Sequence, residues 1–299
     1  MKNQTKGILF ALLTATISGV AIFYSKISVA KIDPLILATS RNLFVGTIFL
    51  LIFAFSKKFV EIKKLSRDEL VKLTVIGLIG GSVPFYLFFT GLQLVNPQIA
   101  NLIHKSLFIW VGLLAVIFLK EKLNILSVIA FVLVIFGNYY FAKIPFQLGK
   151  GELMILTATL LWSMESILAK KVLSKASSEI VGLFRMGLGS LVLLFAVLVS
   201  GKFPLFLSLT TNHQSLTTIL IGGMILFGYV FFWFKALKYA PASLVTLVLT
   251  FSVVVGNILN GTFAGVKLLP KDIYTSASIF AATVLIYLSS QLRISKIKS

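Results

Sequence analysis

The sequence predicts an all-α polytopic membrane protein, with ten transmembrane helices arranged as two inverted five-helix repeats. Three observations carry that expectation. Hydrophobic residues make up 58% of the 299-residue chain and mean hydropathy is +1.01, more apolar surface than a soluble protein of this size can bury. Apolar stretches of about 16 to 23 residues recur ten times, each long enough for a helix to cross a bilayer. The cationic residues then fall unequally on the two sides that those crossings define.

Taken in order, the first stretch, residues 8–24, follows directly on Met-Lys-Asn-Gln-Thr-Lys. No small-residue cleavage site stands out, so it reads as a span and not as a removed leader. Residues 35–55 start at Pro34, which suits a first helical turn where a missing N–H costs nothing. Residues 73–92 follow the polar loop 56–72, and residues 98–119 run from Pro97 to the charged triplet Lys120-Glu121-Lys122. Residues 125–142 close the first half and end near Tyr139 and Tyr140, expected interface anchors. The second half repeats the scheme with residues 153–169, 180–199, 219–234, 243–265 (entered from Pro241) and 273–288. The loops 56–72 and 201–216 are the largest, and neither is a domain. A barrel would instead show alternating segments of about ten residues.

With the N-terminus placed in the cytoplasm, 18 of the 28 lysines and arginines fall on the cytoplasmic side, 7 fall outside, and Arg41, Lys105 and Arg185 stay within spans. This predicts both termini inside, in a cell inner membrane for a prokaryotic source. It also accounts for the net charge of +19 with no nucleic-acid partner. There is no cysteine, hence no disulfide framework and no thiolate chemistry. HExxH, GxSxG and P-loop motifs are absent, so neither an enzyme nor a nucleotide-driven pump is expected. No metal or other cofactor is expected.

The halves resemble each other. A shift of 144 superposes Gly7 on Gly151, Lys26 on Lys170, Ile36 on Ile180 and Arg41 on Arg185. A shift of 145 superposes Leu92 on Leu237 and the run 118–123 on 263–268. Five spans per half is an odd number, so the halves, residues 1–146 and 147–299, enter the membrane in opposite senses. Inverted repeats of this kind are a carrier architecture with the site between the halves.

These features together resemble the EamA-like branch of the drug/metabolite transporter superfamily. The carrying residues are Gly7 with Lys26; Gly151 with Trp162, Ser163 and Lys170; Arg41 and Arg185 early in the second span of each half; Ala236-Leu237-Lys238-Tyr239 before Ala242-Ser243; and Leu119-Lys120-Glu121-Lys122-Leu123. Two positions depart from the pattern: Ser18 stands opposite Trp162, and Val266 opposite Glu121. The resemblance implies five-plus-five inverted repeats and a central cavity lined by spans 1, 3, 4, 6, 8 and 9. It implies alternating access and substrates among small metabolites, amino acids and related compounds, with export favoured. The alternatives are uptake or exchange of an anionic nucleotide-like or cofactor-like metabolite and, in a different class, a channel or a non-transporting scaffold.

Candidate site residues follow from depth and spacing. Asn101, Lys105 and Phe108 share one face of the fourth span. Thr246 and Thr250 share the equivalent face of the ninth, so the two faces are expected to be two walls of one cavity. Lys105 lies about 12 Å in from Pro97, where a cation costs on the order of 3 kcal/mol unless it faces protein, water or ligand. His104 beside it is a candidate for proton coupling, or for a neutral bond between helices. Glu165, three residues from Trp162, is the one carboxylate of nine well inside a span. Lys105 and Glu165 are expected to bracket a zwitterionic substrate, the alternative being a structural pair of Glu165 with Arg185 or Lys105. Tyr229 and Trp233, at i and i+4, are expected to line the cavity. Arg41 and Arg185 are expected to serve the scaffold, and Glu121 a structural or gating contact. The expected partners are a small-molecule substrate, lipid and, as a candidate coupling ion, the proton; the expected state is a monomer or weak dimer.

Overall fold

The computed structural model describes residues 2–56, 58–137, 149–209 and 211–295. Tyr139 and Tyr140, the expected interface anchors, lie outside these. The described residues are helical with short connections, and no strand occurs among them. The first half contains α1 (Lys2–Val29), α2 (Pro34–Phe55), α3 (Phe59–Lys63), α4 (Arg67–Gly81), α5 (Val83–Leu94), α6 (Pro97–Lys105), α7 (Leu107–Leu119) and α8 (Ile125–Ile135). The second contains α9 (Lys150–Val172), α10 (Ser178–Leu183), a π-helical turn (Phe184–Leu188), α11 (Gly189–Val199), α12 (Phe203–Ser208), α13 (His213–Tyr239), α14 (Ala242–Leu249), α15 (Ser252–Phe263) and α16 (Pro270–Ser295).

Among the described residues, eight helical segments are long and apolar enough to cross a membrane. The stretch predicted over residues 125–142 is described only as far as Gly137, α-helical over Ile125–Ile135 and π-helical at Phe136 and Gly137, and packs against α16. Many large apolar side chains point outward, among them Phe55, Ile117, Phe195, Val199 and Phe263. Such a belt is what a lipid-facing surface requires.

The sequence predicts unbroken helices for spans 3, 4, 7 and 9, and all four are interrupted. In span 3 the cause is Pro84. It has no N–H to give the carbonyl of Gly80, and the chain turns at Ser82 (φ −124°, ψ −89°). Span 7 carries the π-helical turn that holds Arg185. Here the backbones touch: a Cβ on Gly81 would lie 1.6 Å from the Arg185 carbonyl oxygen, and one on Gly189 would lie 2.4 Å from Gly81. Spans 4 and 9 tighten at matched places, Ser106 and Phe251, where i→i+3 bonds replace the α-helical pattern (Ile109 N–H to Ser106 O, 2.9 Å; Val254 N–H to Phe251 O, 3.0 Å).

The two halves use matching ties. Lys26 Nζ donates to the carbonyls of Leu92 (2.8 Å) and Val95 (2.6 Å), at the C-terminal end of α5. Lys170 Nζ donates to Leu237 (2.5 Å) and Ala240 (2.7 Å), at the end of α13. In both, the ammonium satisfies carbonyls that a helix terminus leaves unpaired. A second set of ties gathers at the C-terminal end of α13. Lys58 pairs with Glu179 (2.6 Å), Lys235 with Glu179 (4.0 Å), and Lys175 with Glu69 (2.5 Å). Lys238 Nζ donates to Ala176 O (3.2 Å), and Glu61 accepts the Ser177 N–H. The carboxylate of Glu69 holds the Lys175 ammonium above the usual lysine range. This girdle joins the loop between α2 and α4 to the α9–α10 turn.

Candidate functional site

A cavity of about 730 Å³, its mouth included, lies between the halves, within the range of small-molecule sites. Its walls come from α1 (Ser18, Tyr24, Ser25), α2 (Arg41), α5 (Phe85, Phe88, Phe89) and α6 (His104) on one side. On the other stand α9 (Trp162, Glu165, Ser166), the π-helical turn (Arg185) and α13 (Gly222, Tyr229, Trp233).

The break at Pro84 organises one wall. The freed carbonyl of Gly80 accepts Trp162 Nε1–H (2.9 Å) and Arg185 Nε–H (3.3 Å). The neighbouring carbonyl of Gly81 accepts Asn42 Nδ2–H (2.8 Å). Three spans are thereby fixed to one kink. Arg185 also reaches Glu165, with Nη2 3.9 Å from Oε2, and lies 5.6 Å from the ring centres of both Phe85 and Phe234.

Arg41 is held by α1. Nη1 donates to Ser25 Oγ (3.0 Å) and Nη2 to Ser28 Oγ (2.6 Å), and the guanidinium lies over Tyr24 and Phe89. It fits because position 222 is glycine: a Cβ there would sit 2.3 Å from the guanidinium. The rings of Tyr229 and Trp233 stack at 6.1 Å with 8° between planes. His104 packs edge-on against Trp162 (5.1 Å) and lies 5.2 Å from Phe88. Four buried polar atoms of this cavity make no hydrogen bond: Arg41 Nε, Arg185 Nη1, Glu165 Oε1 and His104 Nδ1. Buried polar groups are normally paired, so four such atoms in one cavity mark a place for a polar ligand.

The predicted residues divide. His104, Trp162, Glu165, Tyr229 and Trp233 line the cavity. So do Arg41 and Arg185, which sequence reasoning placed on the scaffold. Lys105 stands behind the wall, 1% exposed, with Nζ donating to Ser18 Oγ (2.9 Å); it does not bracket anything with Glu165, whose cationic neighbour is Arg185. Asn101 lies against Gly256 of α15, and the Phe108 ring against Phe131 of α8. The hydroxyls of Thr246 and Thr250 donate back to carbonyls of their own helix. These last four are not among the residues lining the cavity. Sequence reasoning passed over Tyr24, Ser25, Phe88 and Ser166, took Gly222 only as a residue permitting close helix packing, and took Ser18 only as a departure from the repeat. The repeat offered one signal, since Ser18 is the counterpart of Trp162.

Glu121 sits elsewhere and does one identifiable thing. Oε1 accepts Ala242 N–H (2.7 Å), and Oε2 accepts Ser243 N–H (3.1 Å) and Oγ–H (2.6 Å), capping α14. Pro241, at the N-cap, has no side-chain acceptor. Its counterpart Asn96 caps α6 with its own side chain, accepting Ile99 N–H (2.9 Å). With Asn96 in place, α6 needs no partner acid, and Val266 stands where the sequence repeat would place one.

The chain is similar to known proteins. An uncharacterised transporter of Bacillus subtilis, YoaV, is 24% identical over 76% of this chain and 77% of its own. An uncharacterised transporter of Archaeoglobus fulgidus is 24% identical over 83% of this chain and 87% of its own. One crystal structure superposes with a TM-score of 0.74 over 99% of this chain and all of its own, at 14% identity, a likeness of fold alone. The sequence model of the EamA-like transporter family matches residues 5–142 and again residues 149–288. Spanning helices, a buried polar cavity and this double match place the chain in the EamA-like transporter family, whose members move small molecules across membranes and are not enzymes.

Proposed function

We propose that the chain is a secondary carrier of small organic metabolites, amino acids or related compounds, working by alternating access of two inverted five-helix halves. The observation that carries this reading is the placement of helix ends along α1. Near its start, Gly7 meets Tyr239 and Ala240 at the C-terminal end of α13. Near its finish, Lys26 binds Leu92 and Val95 at the C-terminal end of α5. Nineteen residues separate Gly7 from Lys26, about 28 Å of helix. The closing ends of two repeat-equivalent spans thus lie at opposite ends of one helix, as inversion requires.

In this reading the cavity is the transport site, with His104, Trp162, Glu165, Tyr229, Trp233 and the two arginines in contact with substrate. The girdle of Lys58, Glu69, Lys175 and Glu179 is the closed gate at the face carrying the termini, which the charge asymmetry places in the cytoplasm of a cell with an inner membrane. Export is the favoured direction. Glu165 joins His104 as a candidate for proton coupling, because its carboxyl lies beside both Arg185 and the substrate space. Saturable counterflow into liposomes carrying the purified protein, with a labelled amino-acid mixture and labelled 3-phenylpropionate as probes, is the expected result. Non-saturable flux would indicate a channel, and no flux of either probe a scaffold; each would refute the carrier.

A further inference from the structure

The charge of the cavity is unbalanced. Arg41 and Arg185 line it, 2% and 3% exposed, and Lys105 is buried one side chain behind, on Ser18. One carboxylate, Glu165, answers the two arginines. The other eight carboxylates stand at helix ends or in loops. Asp33 and Glu121 cap helices, Glu69 and Glu179 belong to the girdle with Glu61, and Asp68, Glu152 and Asp272 lie in first turns. Uncompensated cations at this depth are costly. Glu165 itself is a distant partner, 3.9 Å from Arg185, and its Oε1 is unbonded. Arg41 has no acidic neighbour within salt-bridge range, only two serine hydroxyls and two rings, and its Nε is unbonded. An arginine left in this condition presents an anion-binding fork to the cavity.

From these contacts we infer that the substrate carries net negative charge: a small organic anion whose carboxylate or phosphate is held by Arg41 and Arg185, and whose planar body lies among Phe88, Trp162 and Tyr229. This rests on the carrier reading and, within it, favours organic anions over zwitterionic amino acids. A zwitterion would leave the surplus of positive charge where it is; an anion offsets it. Aromatic walls suit a flat body, since stacking tolerates many ring types while the arginines select the charged group. Substrate charge on Arg185 would release Glu165, so occupancy and the state of that carboxyl are linked through one guanidinium.

The test uses the purified full-length protein and four probes sharing a phenyl ring: phenethylamine, L-phenylalanine, 3-phenylpropionate and phenyl phosphate. At saturating concentration, 3-phenylpropionate or phenyl phosphate is expected to raise Tm by about 3–6 °C, with the larger shift telling carboxylate from phosphate. Phenethylamine is expected to give no shift, and L-phenylalanine a smaller one. Arg41→Gln and Arg185→Gln are each expected to weaken anion binding about 10-fold or more, as loss of a charge-assisted bond does. Should either variant fail to fold, the wild type in 1 M KCl gives the second reading, with the anion shift reduced. The inference is overturned by an equal or larger shift with phenethylamine or L-phenylalanine, by no shift with either anion, by arginine variants that bind as the wild type does, or by an anion shift that high salt leaves unchanged. Counterflow of the amino-acid mixture without anion binding would sink this inference and leave the carrier standing. Anion binding with no counterflow of any probe would sink the carrier reading and leave the anion site.

Discussion

At the scale of single residues, the site depends on what is missing as much as on what is present. Pro84 lacks an N–H, so Gly80 has a carbonyl to offer Trp162 and Arg185. Gly222 lacks a side chain, so Arg41 can lie against α13. Gly222→Ala puts a Cβ into the guanidinium. The expected cost is about 1–3 kcal/mol of stability from overpacking, read as a lower Tm, together with loss of whatever ligand shift the wild type shows. A variant with unchanged Tm and unchanged ligand shift would show that Arg41 has room to move. Neither dependence can be read from the sequence. Arg41 and Arg185 are visible there as a symmetric pair, and symmetry alone reads as scaffold. Their role at the cavity appears only when the kink in span 3 and the π-helical turn in span 7 bring their neighbours together. Lys105 is the converse: its depth is legible, but the hydroxyl it donates to belongs to a helix 87 residues away.

At the scale of elements, two helix ends are capped in different ways. The capping of α6 by Asn96 and of α14 by Glu121 are two solutions to one problem, four N–H groups with no partner inside the helix. Asn96→Ala and Glu121→Ala are each expected to destabilise the protein by about 0.5–2 kcal/mol. Val266→Glu in the otherwise native chain is expected to add no stability, because α6 already has its cap in Asn96 and α14 has its own in Glu121. Thermal unfolding of the three variants checks this; a stabilising Val266→Glu would contradict it. Span positions were legible because long apolar runs between lysines and prolines have few other readings. Of the interruptions, the one in span 3 has a mark in the sequence, a proline inside an apolar run, and those in spans 4 and 9 have none. Ser106 and Phe251 keep right-handed helical dihedrals and differ from their neighbours only in a tightened bond pattern, which leaves no mark on hydropathy.

At the scale of the whole molecule, composition and charge placement are enough to name a multi-pass membrane protein, and the family model matches residues 5–142 and 149–288. The working cycle needs more: a site between the halves and ends that open in turn. In the proposed alternating-access cycle the girdle is the element that would break, and the absence of native cysteine makes it open to direct chemistry. Lys58→Cys with Glu179→Cys replaces the 2.6 Å ion pair by two thiols in a chain with no others. Joining them with a cleavable bis-methanethiosulfonate reagent in liposomes tests alternating access itself. The account predicts that the unlinked double variant shows counterflow, that linking stops it, and that reduction restores it. Undiminished counterflow in fully linked protein would contradict the account.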